Sequence, residues 1–268
     1  MESVVGAGVV VTGAGSGIGA ALARRFAAEG ARVVLNDLSA KTVTAVAASC
    51  DTSAGGRATA FAADAASEDG VAALIDAARA ELGEIDLYCA NAGIARLGGP
   101  EAAEADWAES WNVNVMAHVR AARLLLPRWL DRGSGHLICT VSAAGLLASP
   151  GSAPYSVTKH GALAFAEWLS LTYRHRGLTV QAICPMGVRT PMFDGSNPAM
   201  EKLLGASAIM PENVADAVMA AIADGRFLIL PHPDVASMYA GRAADPDRWL
   251  TGVNLIQQDL ESVLDSGA

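Results

Sequence analysis

The sequence is poor in the residues that would tie it to metals, disulfides, nucleic acid or a bilayer. Its five histidines show no ligand spacing, so no metal site is expected. Its four cysteines, Cys50, Cys89, Cys139 and Cys184, lie far apart, and the last three fall in apolar strand-like runs. Buried thiols in a reducing cytoplasm are therefore expected rather than disulfides. Aromatic residues make up only 5% of the chain, which leaves Ala, Val, Leu and Ile to build the core. Positive charge is also scarce. Nineteen Lys and Arg against 28 Asp and Glu give a formal net charge of −9, where nucleic acid or an anionic membrane would call for a basic face. No apolar run approaches the ~20 residues needed to span a bilayer. The chain enters an apolar strand almost directly after Met1-Glu2-Ser3, so no signal peptide is expected and a cytoplasmic location follows.

What the sequence does have is glycine, 27 residues of it, placed most tellingly in Gly8-Val9-Val10-Val11-Thr12-Gly13-Ala14-Gly15-Ser16-Gly17-Ile18-Gly19. Three valines suit a buried strand, because β-branched side chains fill a pleated, two-sided interior. The glycines then make a turn, and Ile18, Leu22 and Phe26 mark one face of the helix that follows. A strand, a glycine turn and a helix start together form an anion site: the helix's first N–H groups point at whatever sits there, and missing Cβ atoms admit a pyrophosphate. Many such turns are only tight corners. Here a second strand, Val33-Val34-Leu35-Asn36-Asp37, ends in the carboxylate that a dinucleotide fold uses for the adenosine ribose.

Further along, strands are expected at 57–62, 85–89, 135–141, 178–184 and 226–230. Helices are expected at 40–50, after the N-cap Ser67, through a single long stretch at 101–130, and at 154–176 and 211–223. Strands alternating with helices at this spacing mean right-handed crossovers. The fold class is therefore α/β: one domain holding a doubly wound seven-stranded parallel sheet. Ligands of such sheets sit beyond the strands' carboxyl ends, where Asp37, Asp64, Asn91, Ser142 and Pro185 fall.

The chemistry is expected in Tyr155-Ser156-Val157-Thr158-Lys159. Residues four apart share a helix face, so phenol and ammonium are neighbours, and the ammonium should lower the phenol's usual pKa of about 10. Such a pair on an ordinary helix is only a solvated face. Ser142 ends the preceding strand, close enough for the helix to fold back beside it, and a turn cap is its plain alternative.

Taken together these residues resemble the short-chain dehydrogenase/reductase family. Thr12 to Gly19 matches that family's cofactor turn, and Asn91-Ala92-Gly93 its motif after strand four, though Ala90 stands where another Asn is frequent. Asn114, Ser142, Tyr155 and Lys159 match its catalytic order and spacing, and the resemblance spans roughly residues 6–230. It implies NAD(P)-dependent oxidoreduction of an alcohol or carbonyl in a homodimer or homotetramer. Tyr155 would move the proton, Ser142 would hold the substrate oxygen, Lys159 would hold the nicotinamide ribose, and Asn114 would hold a water that relays protons to Lys159. The implied cofactor site comprises Gly13, Ser16, Gly17, Ile18 and Gly19; Asp37 and Leu38; Asp64 and Ala65; and Asn91, Ala92 and Gly93. Tyr155 and Lys159 complete it with Pro185, Gly187, Val188 and Thr190.

Met186 departs from the family's usual glycine, so the backbone there is expected to differ and the side chain to enter the nicotinamide or substrate pocket. Ser16 in the glycine turn and Asp37-Leu38-Ser39 after strand two favour NAD over NADP, because a carboxylate repels a 2′-phosphate. Ile94, Ala144, Met186, Met192 and Phe193 are expected to line an apolar substrate pocket, together with Arg96, Leu97, Met200 and Leu203, under a lid at 192–210. That points to a small hydrophobic secondary alcohol or ketone. An NAD-binding sensor or scaffold without turnover is the alternative, and it would not need Tyr155. A dehydratase or epimerase of the longer relatives is a further one, for which the C-terminal segment is too short. That segment, 232–268, should carry a helix from Asp245-Pro246 whose stripe Trp249, Val253, Ile256, Leu260 and Val263 must find a surface. A subunit interface near the active-site mouth is the expected one, with the chain's own lid or the edge of the sheet as alternatives.

Overall fold

Residues 3–194 and 198–266 are described by the computed structural model. The first strand, β1 (Gly8–Thr12), is buried along its whole length, and its valines divide between two apolar layers. Val10 joins Val34, Leu74 and Tyr88 on one side, whereas Val9 and Val11 join Leu22, Leu35 and Phe26 on the other. A strand that must satisfy apolar neighbours on both faces reads as a continuous hydrophobic run, which is why Val-Val-Val sits at the centre of the sheet.

Around it the chain runs α1 (Gly17–Ala28), β2 (Arg32–Asp37), α2 (Ala40–Ala48), β3 (Arg57–Ala62), α3 (Glu68–Leu82) and β4 (Leu87–Ala90). Next come α4 (Glu104–Trp111), a π-helical turn (Asn112–Met116), α5 (Ala117–Arg132), β5 (Gly135–Thr140), α6 (Ala144–Leu147) and α7 (Ala153–Tyr173). The chain continues through β6 (Leu178–Ile183), α8 (Pro191–Asp194), α9 (Pro198–Leu204), α10 (Pro211–Asp224), β7 (Leu228–Ile229), α11 (Asp234–Ala244) and α12 (Pro246–Ser266). The seven strands pair in parallel in the order β3-β2-β1-β4-β5-β6-β7. The order reverses direction at β1, and the crevice between β1 and β4 is where such sheets take a nucleotide. No helix among the described residues is long and apolar enough to cross a membrane.

Several expectations shift. The single helix expected over 101–130 is two helices joined by a π turn, which inserts extra backbone and re-aims Asn114. Edge strand β7 is only two residues, a length that gives a second chain little to pair with. A helix not anticipated, α11, precedes α12. Asp245 caps α12 as expected, its carboxylate accepting from the Arg248 N–H at 3.0 Å.

Within the chain, α12 packs on α9, in the segment expected as a lid, and on α11. Leu260 is buried and Asp259 pairs with Lys202 of α9 at 2.7 Å, whereas Leu250, Leu255 and the stripe residue Ile256 are exposed. The side chain of Val263 lies outside the described residues. A cavity left by Leu260→Ala costs about 2–5 kcal/mol, enough to speed amide exchange along α12 by roughly 30-fold or more. Leu255→Ala, on the open face, should change exchange by no more than about twofold. A larger effect from Leu255 would place the docked face on the other side of the helix.

Candidate active site

The carboxyl ends of the strands are fastened to one another by a short polar network. Thr12 Oγ1 accepts from the N–H groups of Asn91 and Ala92, at 2.9 and 3.0 Å. The Asn91 amide donates to Thr12 O at 2.9 Å and accepts from Thr140 Oγ1 at 3.0 Å, so one side chain spans from β1 across β4 to β5. Asn91 thus shapes the crevice floor.

Above that floor lies a cavity of about 1270 Å³. Its wall brings together Gly13, Ser16, Gly17, Ile18 and Gly19 of the turn with Asp37, Leu38, Asp64 and Ala65. Asn91, Ala92, Gly93, Tyr155 and Lys159 also reach it, as do Pro185, Gly187, Val188 and Thr190. Of the expected substrate residues, Ile94, Ala144, Met186, Met192 and Phe193 line it, with Leu97, Met200 and Leu203. Arg96 does not; its guanidinium pairs with Asp106 and with Glu109, which does line the cavity. Met186 takes the loop position without a left-handed backbone, since Ala148 is the non-glycine residue with positive φ among those described.

The turn fits a dinucleotide. Ser16, the N-cap of α1, makes no side-chain cap bond, and no acid occupies the first turn, so that turn's N–H groups face the cavity without a resident anion. A Cβ on Gly13 would come within 2.9 Å of Ala92 Cα, and one on Gly19 within 2.2 Å of Gly13 O. The tightness belongs to the backbone itself. The Asp37 carboxylate accepts from the N–H groups of Gly15 and Ser39, at 3.0 and 3.1 Å, which fixes it at the end of β2.

Lys159 is almost fully buried and donates to Thr140 O at 2.9 Å, with Nζ 5.5 Å from the centre of the Tyr155 ring. Burial pushes the ammonium's pKa down to about 8. The Tyr155 phenol moves the opposite way from the sequence expectation. Burial raises it, and the neighbouring Ser142 hydroxyl is the group that works to lower it. The half-buried place of the ring in the cavity wall penalises the phenolate, and the ammonium is committed to a backbone carbonyl. Ser142 accepts from the Ala144 N–H at 3.1 Å and donates to Pro185 O at 3.4 Å.

Asn114 lies behind the wall. Its Oδ1 accepts from the Ile94 N–H and its Nδ2 donates to Ile94 O, both at 3.0 Å, and Nδ2 also reaches Thr158 Oγ1 at 3.1 Å. It therefore ties the loop after β4 to α7. Gly93 leaves the slot between the two groups: a Cβ there would sit 3.2 Å from Asn114 Oδ1 and 3.4 Å from Lys159 Nζ.

Sequence reasoning missed three features. Ala148, at φ 60° and ψ 156°, holds a conformation suited to glycine while lining the cavity, and such strain costs on the order of 1–3 kcal/mol. His118 is buried without a hydrogen-bond partner among the described residues, its pKa pushed down to about 3 by burial and by the charge of Lys159. The far wall comes from α11 and α12 through Met238, Gly241, Arg248, Trp249 and Val253.

The depressed Lys159 has a measurable consequence. The unfolded chain holds that proton up to about pH 10.5 and the folded chain only to about pH 8, so the burial penalty is complete below pH 8 and fades as pH rises. The stability of the wild type relative to Lys159→Met should therefore increase between about pH 8 and 10, as read from denaturant midpoints. A difference that is flat with pH would contradict the buried ammonium.

Comparison with known proteins agrees with this geometry. The family model described as short chain dehydrogenase matches residues 7–201. The 1-deoxy-11-beta-hydroxypentalenate dehydrogenase of Streptomyces exfoliatus is 39% identical over 84% of this chain and 82% of its own. The cis-4-hydroxycyclohexanecarboxylate dehydrogenase of Sinomonas cyclohexanicum is 35% identical over 78% of this chain and 86% of its own. A short chain dehydrogenase/reductase from Burkholderia phymatum, solved in complex with NAD, superposes with a TM-score of 0.83 at 30% identity, covering 92% of this chain and 96% of that one. Solved neighbours hold NAD in some cases and NADPH in others. A glycine turn opening α1, a carboxylate ending β2 and a Tyr–Lys pair on α7 thus occur in a chain that belongs to the short-chain dehydrogenase/reductase family of oxidoreductases.

Proposed function

We propose that the protein is an NAD-dependent oxidoreductase that interconverts a hydrophobic secondary alcohol and its ketone. The observation that carries this reading is the meeting of Ser142, Tyr155 and Lys159 in the wall of one cavity with the glycine turn. A bound nicotinamide would supply the hydride acceptor or donor. The chain's own part is the proton and the orientation. Tyr155 gives its phenolic proton to the carbonyl oxygen during reduction and takes the alcohol proton during oxidation. The Ser142 hydroxyl, turning its one proton away from Pro185 O, donates to the same oxygen and stabilises charge as it develops. Lys159 holds its ammonium beneath the ring; the positive charge of an oxidised nicotinamide would add to it and favour the phenolate that burial alone disfavours. Asn114 holds the Ile94 peptide and, beside Gly93, is placed for a relay to Lys159 through a water.

NAD is favoured over NADP because Asp37 stands at the ribose end. The two cations in the described wall are elsewhere, Lys159 under the tyrosine and Arg248 on α12. The substrate side is mostly apolar, with Ile94, Met186, Met192 and Phe193, which suits an alicyclic carbon frame. The two named relatives act on hydroxy acids, so Arg248 gives a carboxylate borne far from the reacting carbon a place to go. A homodimer or homotetramer is part of the same reading, supported by Val157, Trp168 and Leu171 exposed on one face of α7. Free cysteines support a reducing, cytoplasmic setting. A sensor that binds NAD without turnover would have no use for Ser142 and Tyr155 side by side.

Tyr155→Phe keeps the ring and removes the proton carrier, so turnover of the best alcohol should fall by at least ~10²–10⁴-fold while NAD binding stays nearly intact. The check is a screen of alicyclic alcohols, each with and without a carboxylate, followed by absorbance of reduced nicotinamide. A Phe variant retaining more than about a tenth of the rate would overturn the assignment.

The wild type should also prefer NAD to NADP in kcat/KM, and replacing Asp37 with Ser should narrow that gap. The substitution removes repulsion of the 2′-phosphate and also hydrogen bonds to the ribose, each worth about 1.5–3 kcal/mol when charge-assisted. Equal wild-type kcat/KM for the two nucleotides would contradict the role of Asp37.

A further inference from the structure

His232 follows β7 and lies outside every role described so far. Its ring is buried, and its Nδ1 accepts the Met186 N–H at 3.1 Å. The same peptide unit presents its other end, Pro185 O, to the Ala143 N–H at 2.8 Å and to the Ser142 hydroxyl at 3.4 Å. One peptide plane therefore has the histidine at its N–H and the substrate-binding serine at its carbonyl. Downstream, Gly187 O accepts from the Ile209 N–H at 3.1 Å, and Arg189 N–H donates to Ile209 O at 2.9 Å, so the loop is braced beyond Gly187 but not at Met186. Met186 N–H depends on the ring.

We infer that His232 is a positioning residue that acts through the Pro185–Met186 peptide to set the Ser142 hydroxyl and the Met186 wall of the substrate cavity. The contact works only with Nδ1 unprotonated, which assigns the neutral ring's proton to Nε2. Adding a second proton turns Nδ1 into a donor facing another donor, so the Met186 N–H loses its acceptor and the peptide is held at its carbonyl end alone. Burial holds the ring's pKa below the ordinary histidine value, while the Gly187 and Ser207 carbonyls and the Asp234 carboxylate oppose that shift. Asp234, at the start of α11, is the charged group acting on the ring among the described residues. The neutral form thus prevails at neutral pH and the contact fails on the acid side.

The inference rests on the alcohol-dehydrogenase reading only for its kinetic arm. The first arm uses full-length protein with ¹⁵N-labelled histidine and amides. His232 should show an acceptor-type Nδ1 and a protonated Nε2 at neutral pH, and the Met186 amide resonance should titrate together with the ring as pH falls. A protonated Nδ1 at neutral pH, or a Met186 amide that ignores the ring, would overturn the contact whether or not any alcohol is turned over. The second arm compares variants. His232→Asn puts an acceptor oxygen where Nδ1 was and cannot titrate, so it should keep kcat within about threefold and lose the acid-side fall seen in the wild type. His232→Gln places its acceptor one bond further out and should lose kcat by tenfold or more, as should His232→Ala, with NAD affinity changed less than threefold. Equal losses in Asn and Ala, or an Asn variant that keeps the acid limb, would refute positioning through the acceptor. A wild type inactive on every alcohol, with the first arm as expected, would instead count against the proposed reaction.

Discussion

Burying one ammonium sets the terms for the rest of the site. A cation nearly excluded from water is tolerated only when polar groups surround it, and Lys159 takes its partner from the end of β5, at Thr140 O. Thr140 must then keep its place, and its hydroxyl is tied through Asn91 to Thr12 at the end of β1. Gly93 leaves room between Lys159 and Asn114, since a Cβ there would press to 3.2 Å from Asn114 Oδ1. The π turn in the long helix carries Asn114, which is buried there and reaches both polar atoms of Ile94. The charge that costs stability in the free fold lies 5.5 Å from the centre of the Tyr155 ring, where the proposed reaction needs a phenolate.

The substrate side is built differently, from late elements of the chain. The loop after β6, the lid helix α9 and helices α11 and α12 close the cavity from above, joined by Lys202–Asp259 and by the braces of Arg189 to Glu201 and Gly205. The nucleotide half is thus held by backbone and β-sheet, whereas the substrate half is held by side chains and short helices. This division lets one half stay constant while the other is redrawn for new carbon frames.

Much of the first half was legible in the sequence because its signals are local. Three valines before a glycine turn, a carboxylate closing the next strand and a Tyr–Lys pair at helical spacing all declare themselves within a few residues. The second half was less so. A π turn has the composition of the helix around it, so Asn112–Met116 read as part of one helix. Helix α11 buries little beyond Val235 and offered no clear apolar period. The stripe on α12 announced a helix but not its surface, since apolar spacing is the same for a lid and for a subunit neighbour. The positive φ of Ala148 and the reach of His232 to Met186 depend on tertiary packing alone.

The central claim is that this cavity passes a hydride between an alcohol carbon and a nicotinamide. The direct test supplies NAD with an alicyclic alcohol deuterated at the carbinol carbon and weighs the reduced nucleotide by mass spectrometry. The account predicts one deuterium in the reduced nicotinamide and an equal amount of ketone. Ketone formed without label in the nucleotide, or tightly bound NAD that stays oxidised with every alcohol offered, would contradict it.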